Sequence, residues 1–232
     1  MQTSRAVTYG AVALALALVV VLGGLAVGRV ADRADARREV SVDNGGPPPT
    51  GPDPTDDVVI IGDSITEAAE PMLLEELQPD SVVRVRGRGG YRIEQMEPYA
   101  VEAAAAEPEQ VIINLGSNDV LLSWPLDRSV EAYARMLDYF DDTRCIHLVT
   151  VNQSFRSDTD TGLAYRALLL NAQIRELATA AGADIIDWSK MVSDYEAGGS
   201  PFGPITSDSV HPTELGQQMI ADAYRESLRT CL

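Results

Sequence analysis

The chain has 232 residues, 45% hydrophobic and 23% charged, enough to bury one core of ordinary size. Its formal net charge is -17; residues 1–40 carry five Arg against three acids, which leaves 13 basic and 32 acidic residues in the rest. So acidic a body repels phosphate backbones and argues against nucleic acid as a partner, and no tandem period points to a repeat architecture.

From Ala6 to Gly28 the chain runs 23 residues without a charge. That length crosses a hydrocarbon core of roughly 30 Å as a helix, and it exceeds the apolar region of about 7–15 residues in a secretory signal. Residues 1–40 are therefore read as an N-terminal membrane anchor and its flank, with the membrane as partner through this transmembrane helix. The alternative is a signal cleaved near Ala26 and Gly28, which gives a secreted protein. Arg29, Arg33, Arg37 and Arg38 outnumber Arg5 across the span, a bias that by itself keeps the larger domain cytoplasmic. Residues 41–57 hold Pro47, Pro48, Pro49, Pro52 and Pro54 with three Gly, a composition suited to an extended tether. The folded domain is expected over residues 58–232.

Within that domain strand and helix patterns alternate. Val58 to Ile61 is an apolar run rich in β-branched residues, read as a buried parallel strand. A helix is expected over Ile65–Gln78, and an edge strand over Ser81–Arg86. Arg92–Glu107 reads as a helix interrupted by Pro98. Val111–Leu115 reads as a buried strand, Arg128–Asp141 as a helix, Cys145–Val151 as a strand and Leu163–Ala181 as a helix. A short strand at Asp184–Asp187 precedes a last helix, Pro212–Leu228. The alternation argues for one parallel sheet of about five strands with helices on both faces.

In such a sheet every strand delivers its following loop to one edge, where open α/β folds bind ligands. Four segments can converge there: Gly62-Asp63-Ser64, Gly87-Arg88-Gly89-Gly90-Tyr91, Gly116-Ser117-Asn118-Asp119 and Asp208-Ser209-Val210-His211. A serine hydroxyl attacks only when a base takes its proton, and histidine is the usual base near neutral pH. Of two His, His147 lies inside an apolar strand and reads as structural, while His211 lies in a loop free to reach Ser64. Asp208, three residues earlier, is spaced to accept the Nδ1 proton of His211. The Ser64 and Gly90 backbone N–H groups and the Asn118 side-chain amide are the candidate oxyanion donors. Taken singly, these segments also read as helix caps and turns.

Together, and in this order, the four blocks resemble those of the SGNH (GDSL) hydrolase family. The resemblance implies a flavodoxin-like three-layer α/β/α sandwich, with Ser64 as nucleophile, His211 as base and Asp208 as its orienter. It implies no metal and no cofactor. Gly87, Gly89 and Gly90 compete for the second block. Ser64 is not on a Gly-x-Ser-x-Gly elbow, which argues against the α/β-hydrolase fold. The expected function is hydrolysis of short-acyl carboxylic esters, acetyl esters of envelope carbohydrate among them, with no obligate protein partner. An O-acyltransferase using the same residues, or a catalytically silent tethered binding module, are the alternatives. Asp63, Trp124 and Phe155 are candidate pocket residues.

Cys145 opens a strand and Cys231 follows the last helix, so both thiols fall at the edge opposite Ser64. They can form a disulfide or remain as two buried thiols. A disulfide needs an oxidising compartment, and with the anchor and tether it favours an extracytoplasmic domain.

Overall fold

The computed structural model describes residues Asp57–Cys231. The apolar run 6–28 and all of the 41–57 tether except Asp57 lie outside them. Among the described residues no helix is long and apolar enough to cross a membrane.

Five strands form one parallel sheet: β1 (Asp57–Gly62), β2 (Val82–Gly87), β3 (Gln110–Asn114), β4 (Cys145–Val149) and β5 (Asp184–Ile186). Their order is β2-β1-β3-β4-β5, the doubly wound arrangement whose ligand crevice opens between β1 and β3. Gly62 pairs with Gly87 on one side and Asn114 on the other, so these three strands end level.

Among the described residues, seven helices accompany the sheet: α1 (Ser64–Leu77), α2 (Ile93–Ala104), α3 (Ser117–Leu121), α4 (Leu126–Asp138), α5 (Leu163–Ala181), α6 (Trp188–Ala197) and α7 (Glu214–Thr230). Alternate strand residues face opposite layers. Val59, Ile61, Val111 and Ile113 pack with Met96 of α2, Tyr133 and Met136 of α4, and Leu170 and Ile174 of α5. Val58, Ile60 and Ile112 pack with Ile65 and Leu73 of α1, Val192 of α6, and Ile220 and Tyr224 of α7. The two cores share only the sheet, which gives the expected three layers.

Three sequence expectations change. Pro98 does not interrupt α2, because it sits on the exposed face, where the Glu94 carbonyl it leaves without an N–H can meet water. The last helix starts at Glu214, not Pro212, because the Thr213 hydroxyl accepts the Gly216 N–H and caps it. Helices α3 and α6 were not anticipated: α3 has five residues, too few to show a period. Helix α6 is announced only by Asp187, whose carboxylate accepts the Lys190 N–H.

Cys145 and Cys231 are joined by a disulfide with a Cα–Cα distance of 6.0 Å. It ties the start of β4 to the end of α7, at the edge opposite Ser64. His147 is fully buried, with Nδ1 2.8 Å from the Ser227 hydroxyl and Nε2 3.2 Å from Gln110 Oε1.

Candidate active site

Ser64 is the first residue of α1, directly beyond β1. Gly62 makes that short connection fit: a Cβ there would overlap Thr66 and lie 2.9 Å from the Asn114 carbonyl oxygen. Asp63 caps the helix, its Oδ1 accepting the Ile65 N–H at 3.0 Å. Because Asp63 is wholly buried, desolvation pushes its carboxyl up to about 7, against the lowering hydrogen bonds from Ile65 and Ser117. It is thus a cap beneath the nucleophile and not a wall of the pocket, which corrects that expectation.

The structure brings Ser64, His211 and Asp208 into one hydrogen-bonded line. Ser64 Oγ lies 3.0 Å from His211 Nε2, and His211 Nδ1 lies 2.8 Å from Asp208 Oδ2. The other Asp208 oxygen accepts the backbone N–H groups of His211 (2.8 Å) and Val210 (3.0 Å). Partial burial of Asp208 opposes its ionisation, but the hydrogen bonds from the His211 ring, His211 N–H and Val210 N–H prevail and hold its carboxyl down at about 2. Such a hydroxyl–imidazole–carboxylate chain can pass the serine proton to the ring and stabilise the resulting cation.

This line rests on a scaffold that sequence reading missed. Ser209, at φ +69°, turns the chain between Asp208 and His211. Its carbonyl accepts from Asn152 Nδ2 (2.9 Å) and its hydroxyl accepts the Arg156 N–H (2.9 Å), so the loop after β4 holds the histidine loop. An Asn just past a buried apolar run was the available signal.

The donor side is built by the other two loops. The three glycines after β2 have separate duties. A Cβ on Gly87 would come 2.6 Å from Glu67 Cα, so Gly87 lets β2 close on α1. A Cβ on Gly89 would lie 3.9 Å from Ser64 Cβ, which places this loop against the nucleophile. Gly90 takes φ +77° within a turn closed by Tyr91 N–H on the Arg88 carbonyl, a conformation that favours glycine. Asn118 Nδ2 donates to the Tyr91 carbonyl at 2.9 Å, tying its amide to the Gly90–Tyr91 turn and leaving its second N–H for other use.

Asp119, to which the sequence assigned no role of its own, fastens this side. Its buried carboxylate accepts the Ile93 N–H (3.1 Å) and the Ser129 hydroxyl (2.7 Å), so the Asn118 loop is locked to the starts of α2 and α4. Burial raises its carboxyl above the ordinary value against those bonds.

Of the other expected pocket residues, Trp124 lines a cavity of about 120 Å3 with Val120, Leu126, Arg166, Leu169 and Leu170. The Arg92 guanidinium stacks 3.8 Å above its ring. Phe155 is only 7% exposed and belongs to the core beside Leu163 and Leu170, so it is not a pocket residue. Local packing absorbs it.

A doubly wound parallel sheet with a Ser–His–Asp line at its carboxyl edge is the arrangement of a three-layer α/β/α hydrolase. The chain belongs to the GDSL-like Lipase/Acylhydrolase family, which it matches over residues 60–219, and it is an ester hydrolase. Solved structures agree in fold. An acetyl xylan esterase superposes with a TM-score of 0.63 at 21% identity, over 74% of this chain and 98% of that one. A GDSL-like lipase from Bacteroides thetaiotaomicron gives 0.64 at 21%, over 75% and 88%. An acetylxylan esterase from Geobacillus stearothermophilus gives 0.63 at 18%, over 75% and 94%. Catalytic mutants of that last enzyme, one with a serine and one with a histidine replaced by alanine, superpose as well. No curated protein matches the chain.

Proposed function

We propose that this chain is a serine esterase that removes short acyl groups, acetyl foremost, from carbohydrate esters through an acyl-serine intermediate. The observation that carries the reading is the continuous line from Ser64 Oγ through His211 to Asp208, at 3.0 and 2.8 Å. Ser64 Oγ attacks the ester carbonyl while His211 Nε2 takes its proton, and Asp208 holds the ring with Nδ1–H directed at its carboxylate. The N–H groups of Ser64 and Gly90 and the Asn118 amide receive the developing oxyanion. His211 returns its proton to the departing alcohol oxygen. Water, deprotonated by the same ring, then releases the acid and restores the serine. The acetyl xylan esterases among the structural neighbours support a small acyl group on a sugar.

The same reading places the domain outside the cytoplasm, held by the apolar run 6–28 or freed by its cleavage. The Cys145–Cys231 disulfide supports an oxidising compartment. Protease added to intact cells should digest the domain; full protection would overturn this location.

The function is tested with the chain from residue 57 onward, following 4-nitrophenol release from its acetate. Turnover that disappears in Ser64→Ala, together with an acetylated Ser64 peptide trapped at low pH, is the expected result. Turnover that survives Ser64→Ala overturns the acyl-serine mechanism.

A further inference from the structure

Between α6 and Asp208 the chain runs through residues 198–207 without a helix or strand, yet it is firmly fastened. The Tyr195 hydroxyl donates to the Gly203 carbonyl (2.9 Å) and accepts the Phe202 N–H (3.1 Å). The Thr213 hydroxyl donates to the Pro204 carbonyl at 2.8 Å, and Ile205 is buried. The backbone is pinned while one side chain is left out: Phe202 is 82% exposed, the most of any large hydrophobic residue among those described. A single exposed aromatic ring is ordinary on a protein surface. Its neighbourhood gives this one meaning.

The same segment borders a cleft of about 630 Å3, lined by Arg156, Glu196, Ser200, Thr206, Ser207 and Asp208; Phe202 is outside the lining but lies in sequence between Ser200 and Gly203, which both belong to it. Its walls present hydroxyls, two carboxylates and a guanidinium, with the Arg156 head 3.6 Å from Glu196 and its side chain 79% exposed. Asp208 is common to both places: it holds His211 and it lines the cleft. The cleft thus opens on the carboxylate end of the catalytic line, with His211 and Ser64 beyond Asp208 and outside its lining, a separation that a sugar chain of several units spans. An alkyl chain would find little apolar lining, and the acidic groups disfavour an anionic polymer. A sugar fits both features, with hydroxyls for the polar wall and a C–H face for an aromatic ring.

We propose that this cleft is the subsite for the alcohol half of the substrate, an oligosaccharide, with Phe202 as the platform for a sugar ring and Arg156 as a hydrogen-bond donor to its hydroxyls. The proposal rests on the esterase reading above and adds where the glycan lies and which residues select it.

The test compares kcat/KM for O-acetylated xylotetraose and O-acetylated chitotetraose with that for 4-nitrophenyl acetate, in the parent chain, Phe202→Ala, Phe202→Trp and Arg156→Ala. In Phe202→Ala the ratio of the better oligosaccharide ester to the aryl ester should fall about tenfold, through KM, as expected for uncovering one aromatic face. Phe202→Trp should restore it, and Arg156→Ala should lower it. The unacetylated tetrasaccharide should inhibit aryl ester cleavage competitively in the parent and less well in Phe202→Ala. A ratio unchanged in Phe202→Ala overturns the subsite. So does a parent that cleaves the aryl ester through Ser64 but neither oligosaccharide ester. A parent that cleaves none of the three esters is a different failure, since it overturns the esterase reading on which the subsite depends.

Discussion

Asp208 grips His211 twice, one carboxylate oxygen on the ring Nδ1 and the other on the backbone N–H of the same residue, both at 2.8 Å. Ring orientation and loop shape are therefore set by one side chain.

The amide in Asp208→Asn can still accept the backbone N–H groups through its oxygen, but its NH2 then faces the ring and offers a donor where Nδ1–H needs an acceptor. The loop should keep its shape while the imidazole loses its charged partner, and kcat should fall by roughly 10³–10⁴ with little change in thermal midpoint. Steady-state rates with 4-nitrophenyl acetate and a melting curve check this. Since the Asp208 carboxyl sits at about 2, it should not contribute an inflection to the parent's pH–rate profile above pH 3.

Asn118→Ala removes an amide tied to Tyr91 and, on the proposed mechanism, one of three oxyanion donors. The expected loss is on the order of 10²–10³ in kcat, with KM moving little. A loss confined to KM would place Asn118 in ground-state binding instead.

The disulfide spans 86 residues in sequence and lies at the edge away from Ser64. Closing a loop of that size stabilises by about 4–5 kcal/mol in the chain-entropy model. Cys145→Ser paired with Cys231→Ser should lower the denaturant midpoint markedly while leaving kcat in native buffer within about twofold. Activity lost in parallel with stability would mean that the two edges are mechanically coupled.

Asp63 gives the stability curve a sign. Its carboxyl is raised in the folded state to about 7 from 3.8, so the folded protein binds the proton more tightly. The resulting stabilisation is fully present below pH 3.8 and is lost as pH rises through 7. Buried His147 has the opposite shift, lowered from 6.5 chiefly by desolvation, so it costs stability as pH falls below 6.5. In Asp63→Asn the first dependence disappears: relative to the parent, the variant should gain stability between pH 5 and pH 8. Chemical denaturation at the two pH values measures that difference.

What was legible in the chain depended on the length of each signal. The strands β1, β3 and β4 are continuous apolar runs because both faces are covered, and they were read within about two residues. Three of the loop blocks were legible because Gly, Asp and Asn recur at strand ends, where a parallel sheet gathers them; the fourth, Asp208 to His211, follows a helix and was legible from its Asp–His spacing before the last helix. The supports of those loops were not. Asp119, Asn152 and Ser209 act on partners 10 to 57 positions away, through single hydrogen bonds that leave no period in the sequence. Phe155 follows β4 like a pocket residue, yet it is buried in the larger of the two core clusters, a choice that the sequence around it does not announce.

Gly62 has a consequence beyond making room. Val58 to Ile61 are apolar on both faces of β1, so sliding the strand by one position would exchange one greasy pair for another, and polarity alone would not resist it. The residue without a side chain works as a detent, because sliding Ile61 into its place would drive a branched carbon into Thr66 and the Asn114 carbonyl. A chain that settled one notch off would keep its helices, its compactness and its greasy interior, but would present Ser64 to the wrong side of the sheet. Circular dichroism and scattering would score it as native; only turnover would tell the two frames apart.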